Sequence, residues 1–159
     1  MAQSMQSDWQ ARWANARAYT LAVAEAMPAS DYGFRPDYPN ALRPAMTFGE
    51  QLVHLGRNIE WVSADKLLGG ATPPRPDIDP ADKSAVIAYL DAMFALGKRA
   101  LGSLSFAELD ERVDWFGEGE RLSKRRVGLL LFDHVTHHRA QAIVYLRVKG
   151  VAAPEYVGW

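Results

Sequence analysis

The chain contains no cysteine. A disulfide framework, a thiolate metal site and an internal thiol nucleophile are all excluded. No apolar run approaches the length that spans a bilayer. The opening stretch, Met1 to Trp9, is polar and lacks the apolar stretch of a signal peptide, so a cytoplasmic protein is expected. Positive charge is not in excess: 18 basic residues face 19 acidic ones, for a net charge of −1. That balance leaves no electrostatic footprint for nucleic acid. The one dense basic run, Lys124-Arg125-Arg126 beside Arg121, sits where a helix should begin and reads as a solvated face. Histidine is also scarce, with four in 159 residues, and three of those fall within five positions.

Apolar residues make up 48% of the chain and aromatics 11%, enough for a packed core and too many for disorder. Four long helices are expected. The first runs from about Ser7 to Met27, with Trp9, Trp13, Ala16, Thr20, Val23 and Met27 on one stripe at alternating spacings of four and three. Gly33, Pro36, Pro39 and Pro44 make Ala29 to Ala45 a loop. Its Tyr32, Phe34 and Tyr38 pin it to the bundle or else border a pocket, and packing is preferred. Thr47-Phe-Gly-Glu50 is a capping box that opens a second helix, which ends near Leu68 at Gly69-Gly70. Its stripe is Phe48, Leu52, Leu55, Ile59 and Val62.

The third helix is expected from Asp79 as cap and Pro80 as first residue to about Gly102, with Gly97 marking a close helix approach. Residues 103 to 122 fit a short helix or a hairpin equally. A fourth helix runs from about Ser123 to Lys149 and stops at Gly150. There is no internal repeat. The expectation is one all-α domain over residues 1–159, an up-and-down four-helix bundle with long loops.

His134 and His138 stand one turn apart on that last helix, so one face carries both imidazoles. Val127, Leu131, His134, His138, Gln141, Tyr145 and Val148 follow a four-three alternation. Three polar residues thus occupy stripe positions where a bundle expects Leu or Val, a cost of several kcal/mol if they are left unsatisfied. A divalent metal on the imidazoles would remove that cost; a hydrogen-bonded histidine pair is the alternative. His54, on the second helix, shares a face with Glu50, Asn58 and Trp61, away from that helix's apolar stripe. Helix two then has two faces to bury, or a polar face turned to a pocket and an apolar one turned to a partner; the second option would suit a homodimer. His137 and Asp133 sit on the flank and read as exposed. Glu50, Asn58 and Gln141 are candidates to hold the ligand imidazoles from behind, because a metal-bound histidine donates its other ring proton to an oxygen.

Several segments, in order, resemble the DinB/YfiT-like family of metal-binding four-helix bundles: Tyr32-Gly-Phe-Arg-Pro36, Thr47-Phe-Gly-Glu-Gln-Leu-Val-His54, His134-Val-Thr-His-His-Arg-Ala-Gln141, and Lys149-Gly150 with Pro154 beyond. The family usually has glycine where this chain has Ala140, a residue still small enough for close packing. The resemblance implies that the metal triad falls on His54, His134 and His138, with His138 preferred over His137. It also implies frequent dimerisation and a nickel or zinc ion. Some relatives are thiol-dependent S-transferases or isomerases using bacillithiol, mycothiol or glutathione.

Three neutral imidazoles leave an ion with open positions, the catalytic pattern rather than the closed structural one. The first expectation is a transferase that joins a low-molecular-weight thiol to a small electrophile; the missing cysteine suits this, since no internal thiol competes. The second is metal-assisted hydrolysis with Glu50 as a candidate base. The third is a non-enzymatic metal-binding stress protein. Zinc is favoured, with nickel or iron as alternatives.

Overall fold

The computed structural model describes residues 5–39, 42–74, 76–117 and 119–158. Parts of the opening polar stretch and of the long loops therefore lie outside the described residues. Four helices carry the architecture: α1 (Met5–Ala26), α2 (Phe48–Trp61), α3 (Lys83–Ser103) and α4 (Lys124–Val148). α1 and α2 each pack against both α3 and α4. A small antiparallel hairpin, β1 (Arg112–Asp114) and β2 (Arg121–Ser123), precedes α4, with Val113 opposite Leu122. Among the described residues no helix is long and apolar enough to cross a membrane.

The four-three stripes of α1 and α2 are the core. Trp9, Trp13, Ala16, Thr20, Val23 and Met27 are all buried, as are Phe48, Leu52, Leu55, Ile59 and Val62. Trp13 is the central plug. Its ring meets Phe94 at 5.1 Å and Phe132 edge-on at 5.5 Å, and its indole N–H donates to the Phe94 carbonyl at 2.8 Å. Gly97 lets α3 approach this ring, because a Cβ there would lie 2.3 Å from Trp13 Cζ2.

The start of α2 is unusually well tied, and this matters for the site. Its first four amides all find acceptors: Phe48 N–H donates to Phe34 O at 2.8 Å, Gly49 N–H to Tyr32 O at 2.9 Å, Glu50 N–H to Thr47 Oγ1 at 3.1 Å and Gln51 N–H to Thr47 O at 3.0 Å. Glu50 returns the bond by accepting from the Thr47 amide at 2.6 Å, completing the capping box. Tyr32 anchors the loop, fully buried with its hydroxyl on Ala24 O at 2.8 Å, and Phe34 packs edge-on against Tyr145. Tyr38 does not pin the loop: it is 54% exposed and borders a small pocket, the other reading of this residue.

Three local expectations are corrected. Asp79 does not cap α3. Its carboxylate captures the Ala81 amide at 2.9 Å in a turn, and Asp82 caps instead, accepting from Ala85 N at 3.0 Å. The basic run is not wholly solvated, for Lys124 is buried with its ammonium on Glu111 at 2.9 Å, and Arg125 pairs with Asp110. Val148 is exposed, because the buried stripe of α4 ends at Tyr145 and Leu146. The end of the second helix falls where expected: α2 runs on into a π-helical turn, Val62–Leu67, closed by Leu68 N–H on Ser63 O at 3.0 Å. The wider turn keeps the helix going to the expected stop at Gly69, whose φ of +69° suits glycine.

Candidate metal centre

α2 and α4 pack together, and their contact brings three imidazoles to one place. Ring centroids lie 5.2 Å apart for His54 and His134, 4.6 Å for His54 and His138, and 4.4 Å for His134 and His138. One nitrogen from each lies within 4.8 Å of the other two. Ligands each about 2 Å from a zinc ion stand at most about 4 Å apart, so a small closing movement would complete the set. His138 is buried, while His54 and His134 are partly open to the neighbouring clefts.

Burial is the main reason the His134 and His138 rings are neutral. Loss of hydration, reinforced by repulsion from His54 and His137, pushes the His134 pKa down to about 4. The same loss, with repulsion from His134, His54 and His137, pushes His138 to about 3. Neutral imidazoles clustered without a carboxylate are a donor set for a cation. His134 Nδ1 points the same way, for it is buried with no hydrogen-bond partner among the described residues. The residues present fit a divalent metal.

The hydrogen bonds behind the cluster come from a residue that helical spacing does not single out. His138 Nδ1–H donates to Gln51 Oε1 at 2.6 Å, leaving Nε2 free for a metal. Gln51 Nε2 donates in turn to Gln141 Oε1 at 2.7 Å, and Gln141 Nε2 donates to His137 Nε2 at 2.6 Å. Tyr145 closes the far side, its hydroxyl donating to Met46 O at 2.9 Å. Gln141 therefore sits two bonds back from His138, and His137 is an exposed end of the relay, outside the three-histidine group. Glu50 lies on the α2 cap and 3.9 Å from Arg35. Asn58 lines the adjoining cleft, its Oδ1 buried without a partner among the described residues. Arg139, in the segment that carried the resemblance, is buried against α1, over the Tyr19 ring at 4.8 Å, and takes no part. A buried amide inside an apolar helix face was the available signal for Gln51.

The cluster opens onto a cleft of about 980 Å³. His54 and His134 form part of its wall, with Trp61, Trp115, Phe116 and Leu130 supplying an apolar lining. Trp61 comes from the end of α2, just before the π-turn, and Trp115 and Phe116 from the hairpin tip. A smaller pocket of about 550 Å³ meets His54 from the other side and is lined by Arg35, Arg57, Glu50 and Asp77 among others.

The family model of the DinB superfamily matches residues 12–142. A DinB-like protein from Bacillus subtilis superposes with a TM-score of 0.75 at 20% identity, covering 94% of this chain and 97% of that one. A DinB-like protein from Bacillus cereus superposes with a TM-score of 0.73 at 17% identity, covering 98% and 99%. These two likenesses establish the fold. No curated protein matches the chain.

Proposed function

The chain belongs to the DinB superfamily, and we propose that it is a metal-dependent transferase, using His54, His134 and His138 to hold a divalent ion where a low-molecular-weight thiol attacks a small electrophile. The observation that carries this reading is a cluster of three imidazoles, two of which, His54 and His134, stand in the wall of a large apolar cleft. When bound, a divalent ion supplies Lewis acidity that lowers the pKa of a thiol or water beside it. Zinc is the favoured metal, with nickel or iron as alternatives.

The residues of the chain have their own tasks. Gln51 orients the His138 ring and holds its proton on Nδ1. The aromatic wall excludes water from the electrophile. The thiol must come from outside, since the chain has no cysteine. Its sulfur forms the new bond to the electrophilic carbon, the leaving group departs with the electron pair of the broken bond, and the thiol proton passes to solvent.

Transfer is preferred to hydrolysis because the candidate base for hydrolysis is engaged. The Glu50 carboxylate is committed to the Thr47 amide at the α2 cap. A homodimer is part of the reading. The second face of α2 lines the cleft, so the exposed apolar side chains of α4, Leu129, Val144 and Val148, are the surface that favours it. A monomeric mass by light scattering would refute that part.

The test is to incubate zinc-loaded and chelator-stripped protein with glutathione, bacillithiol or mycothiol and a chromogenic aryl halide. A rate that requires both metal and thiol, and is lost in His138→Ala, supports transfer. Absence of a metal-dependent rate with every thiol refutes it.

A further inference from the structure

We infer that the large cleft is built for a flat aromatic ligand carrying an anionic group, with Phe116 and Trp61 receiving the ring and Arg57 the anion. The inference rests on reading this cleft as the seat of the electrophile. Its volume, about 980 Å³, lies at the upper end of the range for small-molecule sites.

The first observation is the ring trio at the cleft wall. Trp61 and Phe116 stack with centroids 5.3 Å apart at 26°, and Trp115 touches both, at 5.2 Å from Trp61 and 5.1 Å from Phe116. Flat π faces select planar partners, which stack on them with offset geometry. Phe116 is 70% exposed, and its φ is +57°. A bulky residue in the left-handed region is strained, whereas Gly117 beside it and Gly119 beyond take that conformation at no steric cost. An aromatic side chain kept at a strained turn, largely exposed, at the rim of a cleft is placed for contact with a ligand.

The second observation is Arg57. It follows His54 by less than one turn, is half-buried, and lines both the large cleft and the smaller pocket across from it. Among the described residues it has no ion pair and no side-chain hydrogen bond. The other cation of the cleft, Lys66, is engaged: its ammonium sits 2.9 Å from Asp65 and 5.3 Å over the Trp61 ring. Asp133, which also lines the cleft, is exposed, where water and salt weaken its repulsion of an anion. A half-buried guanidinium without a carboxylate is suited to a planar anion such as a carboxylate, which it can grip with two parallel bonds.

Calorimetric titration with 2-naphthoate and naphthalene-2-carboxamide isolates the charge, since the two share a ring system. Both probes are run against chelator-stripped and zinc-loaded protein, without thiol. The carboxylate is expected to bind about tenfold more tightly than the amide in both forms. Arg57→Gln should abolish that difference and leave amide binding unchanged. Phe116→Gly, which removes the ring and relieves the backbone strain together, should weaken both probes alike; Phe116→Asn serves if the glycine variant does not fold. Equal binding of the two probes overturns the inference. So does discrimination seen only with zinc, because the carboxylate would then be sitting on the ion. Because no arm depends on turnover, failure of the transferase reading is seen separately in the thiol assay.

Discussion

His138 donates its Nδ1 proton to Gln51 Oε1 across 2.6 Å, from α4 to α2, and this bond decides which nitrogen of the ring is offered to a metal. A leucine at position 51 would fill similar space but leave the imidazole free to rotate and to change tautomer. It would also strand Gln141, the next group in the relay.

Gln51→Leu should therefore lower zinc affinity by about 10- to 100-fold, the usual effect of losing the group behind a ligand histidine. Competition against a chromophoric chelator measures this directly. Affinity equal to wild type would mean that His138 is oriented by packing alone.

The four histidines should divide three to one. His54→Ala, His134→Ala and His138→Ala are each expected to drop bound metal from one per chain to near zero by elemental analysis. His137→Ala should keep its metal, since His137 lies outside the cluster and accepts from Gln141 at 2.6 Å. Loss of metal in His137→Ala, or its retention in His54→Ala, would redraw the centre.

How far the sequence spoke depended on the range of the interaction. The stripes of α1 and α2 were legible because helical periodicity is local, and Trp13 and Leu55 are buried as the spacing requires. The His134 and His138 pair was legible for the same reason. Spacing alone did not join His54 to that pair: the family resemblance indicated it, and the packing of α2 on α4 accomplishes it. Gln51 escaped notice because its partner is 87 positions away. The hairpin at 112–123 was ambiguous because its strands are three residues each, too short to show alternation, and lean on α4. The cap of α3 was misplaced by three residues, from Asp82 to Asp79, because Asp79 spends its carboxylate on the Ala81 amide in a turn ahead of the helix.

Metal-free protein should lose stability in mild acid. Above about pH 6.5 His134 and His138 are neutral whether the chain is folded or not, and they contribute nothing to the pH dependence. Below it the unfolded chain takes up protons that the native cluster refuses, because burial holds the folded pKa values at about 4 and about 3. Stability then falls with pH, by at most about 1.4 kcal/mol per unit for each histidine, until the native groups titrate in turn. Urea midpoints between pH 7 and 4 should show this decline in wild type and a shallower one in a His134→Gln, His138→Gln double variant. Parallel declines would assign the acid sensitivity elsewhere.

Two glycines near the start of α2 should respond oppositely to the same substitution. A Cβ on Gly49 would lie 1.8 Å from the backbone oxygen of Pro80, an atom that cannot swing aside as a side-chain tip can. Gly49→Ala must push the start of α2 away from the segment ahead of α3, at a cost of roughly 1–3 kcal/mol for overpacking. His54 lies five residues on along the same rigid helix, so the displacement should also weaken metal binding, although Gly49 touches no imidazole. Gly33 is the control, with nothing within 4 Å of the place a methyl would take and no left-handed φ. Gly33→Ala should change stability by less than about 0.5 kcal/mol or raise it slightly, by narrowing the unfolded ensemble. Urea unfolding and zinc titration of the two variants side by side check both halves. If Gly49→Ala lost stability but kept full metal affinity, the seat of α2 would matter for folding and not for the alignment of the three histidines.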